Sequence, residues 1–178
     1  MKFRNTKTTY GAVAVSFHWA SAVLATGLFA SGLWMTSLSY GSNWYHSAPE
    51  FHKAFGLMFA ALILGRLAWK GLNPSPDEAG KRWEALAAKS VHIALYGLLA
   101  TLFVSGYLVA TGRGAGVDIF GVFQFPSLVH IGRNTRLAGT VHLWSAYALA
   151  ALTVLHAAAA LKHHFIDRDR VLVRMLGR

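Results

Sequence analysis

His142 and His156 stand 14 residues apart in a stretch, Leu137 to Leu161, that contains no Asp, Glu, Lys or Arg. At 3.6 residues per turn this spacing is close to four turns, so on a helix both imidazoles share one face, about 21 Å apart along the axis. An ionisable group in so apolar a setting is a functional candidate by default. The chemistry imidazole offers is metal ligation or proton exchange. His18 and His52 lie in apolar stretches of their own, within a chain of 178 residues that has nine histidines.

The elements that must position these residues are membrane helices. Apolar residues make up 54% of the chain and charged residues 13%, about half the charge of a soluble domain. No charged residue occurs from Thr8 to Pro49, from Ser90 to Gly112 or from Leu137 to Leu161, and each run exceeds the roughly 20 residues that span a bilayer. Phe51 to Trp69 is apolar apart from Lys53 and Arg66 near its ends, where long basic side chains can reach the interface. Residues 1–178 are therefore expected to form one all-α domain, a four-helix transmembrane bundle with helices near 11–37, 51–69, 90–111 and 137–165. Asn73-Pro74-Ser75-Pro76 breaks the chain after the second helix. The basic N-terminus followed by an apolar run resembles a signal peptide, but the run is too long for one and is read as an uncleaved first helix.

Charge sets the expected orientation. The first loop, Leu38 to Glu50, lacks Lys and Arg, whereas the N-terminus, the second loop (Lys70, Lys81, Arg82, Lys89) and the tail are basic. Both termini are then cytoplasmic in a multi-pass protein of the bacterial inner membrane. The net charge of +10 lies beside the spans, where it sets topology, so nucleic acid is not an expected partner. The absence of cysteine excludes Fe–S clusters, thiolate-ligated haem and covalent c-type attachment.

In that topology His18 lies level with His156 near the cytoplasmic side, and His52 lies level with His142 near the outer side. Two imidazoles facing each other across a bundle core suit a six-coordinate, electron-carrying haem, so two b-type haems are expected, with iron as the metal. A transition-metal site would want three or four ligands at one depth, often with carboxylates, and no span contains Asp or Glu. A metal transporter is the reading that such a site would favour.

Other residues group around this scheme. Arg66, 14 residues after His52, falls level with the inner pair, where a guanidinium would hold a propionate or reach the interface from the helix end. Gly56 and Gly139 are small where a flat macrocycle needs room. His163, seven residues past His156, keeps near its face and is a candidate donor to a quinone headgroup. His92 could serve that site or compete with His18 as a ligand. His164 fits an interfacial basic cluster, and His46 and His130 fall in outer loops. Trp34, Trp44, Trp69 and Trp144 are placed like an interfacial belt. The third loop, Gly112 to Arg136, carries Arg113, Arg133 and Arg136 against Asp118, an excess of positive charge on the side where few basic residues are expected.

The segments "VSFHW", "EFHKAFG", "RLAWKGLNPSP", "GTVHLW", "LHAAAALKHHF" and "VLVRMLGR" resemble the bacterial cytochrome b561 family, four-helix di-haem proteins of the inner membrane. The resemblance runs from about Val15 to the C-terminus and is best to the short stand-alone branch that includes superoxide oxidase. It implies haem ligation by His18, His52, His142 and His156, and electron transfer from periplasmic superoxide to membrane ubiquinone. Other members serve as quinone-linked cytochrome subunits docked to hydrogenases and dehydrogenases, which makes a redox partner protein the alternative. Close relatives often carry an acidic residue after the first histidine of the fourth helix; here it is Leu143.

Overall fold

The computed structural model describes residues 2–76 and 81–177. Four long helices dominate: α1 (Ala12–Thr36), α2 (Ser47–Leu72), α3 (Arg82–Thr111) and α4 (Thr135–Phe165), with a short α5 (Val171–Met175) at the tail. All four long helices are long and apolar enough to cross a membrane. Their outward faces carry large apolar side chains; Val23, Leu64, Val104 and Val154 are each exposed by 61 to 70%. Such surfaces are stable only where the solvent is lipid. The buried hydroxyl groups inside the helices are satisfied locally. Ser21, Ser105 and Thr111 are buried and donate to the carbonyls of Phe17, Thr101 and Tyr107, four residues back.

Two helices start earlier than the apolar pattern suggests. α2 begins at Ser47 because Pro49 sits in its first turn, where a missing N–H costs nothing, and Glu50 there complements the helix dipole. α3 begins at Arg82 because the Glu84 carboxylate turns back to accept the backbone N–H of Lys81, closing the helix start in the manner of a capping box.

The chain divides into two compact units. One comprises Met1–Val23, Ala61–Tyr96 and Ala151–Arg178; the other comprises Leu24–Ala60 and Gly97–Ala150. Each unit takes a segment from every long helix. In the second unit, edge-on ring contacts join α2 to α3 (Phe59 and Phe103) and α1 to α4 (Phe29 and Tyr147). In the first, a Cβ on Gly65 of α2 would touch the Phe17 ring of α1 at 3.4 Å, and the indole N–H of Trp19 donates to the carbonyl of Met175, tying α5 to α1.

The segment between α3 and α4 holds an antiparallel hairpin that apolar periodicity alone does not foresee, β1 (Val117–Ile119) paired with β2 (Phe123–Phe125). Its turn puts Phe120 and Gly121 at φ of 55° and 71°, the mirror-image turn that suits a twisted hairpin. A left-handed aromatic residue is unusual. Phe120 is held there by ring contacts with Phe51 and Phe55 of α2. Val117 is 1% exposed, and the Tyr107 hydroxyl accepts from the Leu128 N–H while donating to the Pro126 carbonyl.

Candidate cofactor sites

The four transmembrane histidines singled out by spacing come together as two pairs, one in each unit. His52 of α2 and His142 of α4 have ring centres 6.3 Å apart. His18 of α1 and His156 of α4 also have ring centres 6.3 Å apart. An imidazole nitrogen binds a first-row metal ion at about 2 Å and lies about 1.2 Å from its ring centre, so two rings flanking one ion are centred about 6.4 Å apart. Both pairs have that separation. The paired imidazoles would suit a haem iron, and the donor sets contain no carboxylate or thiolate to favour another metal.

The surroundings of the rings decide which nitrogen faces the partner. The Leu102 carbonyl lies 3.1 Å from Nδ1 of His142 and can only accept, so Nδ1 carries the proton. The Ser105 hydroxyl, 3.2 Å away, donates to Thr101 and adds a second acceptor. Nε2 of His142 is left for the metal. On His52 the contact is with Ser31, whose hydroxyl lies 3.0 Å from Nδ1 and 3.1 Å from the Leu28 carbonyl. Partners of this kind fix the tautomer of a metal-bound histidine.

Space beside the rings is made by glycine. A Cβ on Gly106 would lie 2.9 Å from the His142 ring, and one on Gly32 would lie 3.4 Å from the His52 ring. Each of these glycines follows the serine that holds the same ring. The pairs Ser31-Gly32 and Ser105-Gly106 contact the rings and are candidate site residues that the spacing of histidines does not reveal. Their signal is a Ser-Gly dipeptide repeated inside otherwise apolar helices. Gly56 and Gly139 touch neither ring; a Cβ on Gly56 would meet nothing within 4 Å, and one on Gly139 would meet Val109.

In the first unit the partner of His18 is different. The guanidinium of Arg66 lies 3.1 Å from Nδ1 of His18, so the arginine expected near the inner pair does reach it. Arg66 and Lys70 both lie over the Tyr96 ring, at 5.7 and 5.6 Å. His92 packs its ring 5.2 Å from that of His156, closer than two ligands on opposite sides of one metal can stand. His18, not His92, has the separation of two ligands on opposite sides of one metal.

His163 is held by carboxylates on α4's C-terminal side. Its Nδ1 lies 2.6 Å from Asp169 and 3.3 Å from Asp167, which leaves Nε2 as the second proton-exchanging atom of the ring. The ammonium of Lys162 bonds Asp167 at 2.6 Å and reaches Glu84 at 3.6 Å, and its hydrogen bond holds the Asp167 carboxyl below the usual range. Glu84, His163 and Asp167 bring their ligand atoms within 4.8 Å of one another, but Lys162 already supplies their positive charge. Arg113, Arg133 and Arg136 are all exposed, Arg133 within a 3-10 turn and Arg136 in the first turn of α4. His46 and His130 are exposed as well.

The model of the prokaryotic cytochrome b561 family matches residues 9–178. The chain is 42% identical to cytochrome b561 homolog 2 of Escherichia coli K12, an alignment covering all of this chain and 96% of the relative. It is 26% identical to cytochrome b561 homolog 1 of the same organism, over 92% of this chain and 94% of that one. With helices, histidine pairs and full-length similarity in agreement, the chain belongs to the prokaryotic cytochrome b561 family, membrane electron carriers that bind haem b.

Proposed function

We propose that the chain binds two b haems, one between His52 and His142 and one between His18 and His156, and that it oxidises periplasmic superoxide and reduces ubiquinone. The observation that carries the haem assignment is the 6.3 Å ring separation repeated in both pairs. When bound, the haems supply one-electron carriers, able to take single electrons from a one-electron donor and hand them to a two-electron acceptor.

The rest of the reading concerns what the side chains do. The basic N-terminus and second loop and the uncharged first loop support cytoplasmic termini, which puts Arg113, Arg133 and Arg136 on the periplasmic side of an inner membrane. Clustered positive charge raises the arrival rate of a small anion. Two superoxide anions each lose one electron and leave as dioxygen; one quinone takes both electrons with two protons and becomes quinol. His163, whose Nδ1 is bonded by Asp169, would exchange one of those protons at Nε2. Arg66 bears a charge suited to a haem propionate.

The test uses the purified full-length protein. Superoxide from a xanthine oxidase system should reduce the haem bands, and added ubiquinone should reoxidise them. If superoxide leaves the bands oxidised, the chain is instead a quinone-linked cytochrome subunit, and it should then co-purify with a dehydrogenase or hydrogenase.

A further inference from the structure

The chain ahead of α1 folds back onto the helix it leads into. The Ala12 N–H, one of the donors a helix start leaves without an intrahelical partner, donates to the Lys2 carbonyl at 2.8 Å. The Gly11 N–H donates to Oδ1 of Asn5 at 2.9 Å, and Nδ2 of the same side chain donates to the Pro74 carbonyl, just past α2, at 3.0 Å. Glycine is required at position 11, because a Cβ there would run into the carbonyls of Phe3 and Arg4. Phe3 packs edge-on against Trp69 of α2, with ring centres 5.8 Å apart. The segment is thus tied to the start of α1 and to the end of α2.

An apolar groove remains between Phe3 and these two helices. Ala12, Ser16 and Ala20 line it from α1, and Leu62 lines it from α2. Phe17 closes it where its ring meets Gly65, 3.4 Å from the position of a Cβ. Ala12 to Ala20 covers about 12 Å along the helix axis, most of one leaflet of a hydrocarbon core about 30 Å thick. Phe3 stands between Lys2 and Arg4 in the sequence. Both are exposed, neither forms an ion pair among the described residues, and no acidic residue precedes Glu50.

We propose that this groove binds one acyl chain of an anionic phospholipid, whose phosphate pairs with Lys2 and Arg4. Lipid binding here does not depend on whether the histidine pairs hold haem.

The apolar lining selects the acyl chain. Water gains nothing in a groove without polar partners, and an empty one forfeits the dispersion contacts of its walls. In a bilayer the filler at hand is a lipid tail. Burial alone would not choose among lipids, since the surrounding tails are as apolar as the groove. The choice is made by the charges at its mouth. Each Lys or Arg near an anionic membrane surface strengthens attraction about fivefold. Here the backbone bonds of Lys2, Asn5 and Gly11 hold two such residues on either side of Phe3, which itself lines the groove.

Native mass spectrometry of the full-length protein, purified in detergent and stripped of lipid, tests this. Phosphatidylglycerol and phosphatidylethanolamine with the same acyl chains are titrated in turn. Phosphatidylglycerol should bind the tighter, and the Lys2→Gln/Arg4→Gln double variant should weaken it roughly 25-fold, a factor of five for each charge. Ala20→Phe, which fills the groove from an exposed position and changes no charge, should weaken it too. The two changes should not add, because they remove the same bound lipid. Ser16→Phe repeats the filling at a second exposed position where Ala20→Phe fails to fold. Equal affinity for the two lipids overturns the proposal, as does a phosphatidylglycerol preference that survives filling of the groove. Ubiquinone displaced by Ala20→Phe while phosphatidylglycerol stays bound would also overturn it, and would assign the groove to a quinone tail.

Discussion

A Cβ on Gly106 would lie 2.9 Å from the ring of His142, closer than real side chains approach. The ring is also held from behind by the Leu102 carbonyl and the Ser105 hydroxyl, so it cannot retreat without losing its tautomer-fixing bonds. Gly106→Ala should therefore displace the ring, at a cost of about 1–3 kcal/mol for the added methyl. Haem content by pyridine haemochrome should drop relative to the wild type. Gly71→Ala, at a position where a Cβ meets nothing within 4 Å, should leave content unchanged. Equal haem content in the two variants would remove the glycine from the site.

The two pairs share no ligand. His142→Ala and His156→Ala should accordingly damage different haems, each leaving a five-coordinate or absent group at its own site. Low-temperature spectra of the reduced α band resolve such differences. The wild type should contain haem and protein in a ratio of two, matching the two pairs. Identical spectral losses in the two variants, or a wild-type ratio of one, would dissolve the pairing.

The four helices and the histidine pairs were legible in the sequence because membrane solvent imposes a strict pattern. Apolar runs, charge at their ends and a 14-residue spacing are all one-dimensional signals. The partners of the rings were less legible. Ser31 and Ser105 look like ordinary polar residues of membrane helices, and which of many glycines faces a ring depends on helix rotation rather than on sequence distance. Gly56 was a candidate by its separation of one turn from His52, yet the contact belongs to Gly32 on a neighbouring helix. The hairpin at Val117–Phe125 was hidden for another reason: three-residue strands are too short for alternation to be read. Arg66 was legible as a residue level with the inner pair, but its contact with a ligand ring depends on tertiary placement.

His163 is oriented by the 2.6 Å contact of Nδ1 with Asp169. Asp169 also accepts the Val171 N–H at the start of α5, so it belongs to a local frame and not only to the ring. Asp169→Asn keeps a polar group of the same size but removes its charge. Reoxidation of the reduced protein by ubiquinone should slow in Asp169→Asn and slow further in His163→Ala, while reduction by superoxide stays at the wild-type rate. Unchanged reoxidation in His163→Ala would move the quinone site elsewhere.

The last expectation concerns the outer arginines. Arg133 and Arg136 are exposed and three residues apart around the start of α4, in a loop whose only carboxylate is Asp118. Asp118 is itself engaged by the backbone N–H of Gly121 in the hairpin turn, and neither arginine forms an ion pair among the described residues. Their charge is available to attract an anion from solution. Exposed charges act over about 8 Å at physiological ionic strength, so raising the salt should slow reduction by superoxide. Replacing both with glutamine should slow it by roughly tenfold at low salt, the lower end of what steering supplies, and should flatten the salt dependence. The haem spectrum should not change, because neither side chain contacts a ligand ring. A double variant as fast as the wild type at every salt concentration would show that the anion arrives without their help. A variant that is slow but still fully salt-sensitive would transfer the role to Arg113.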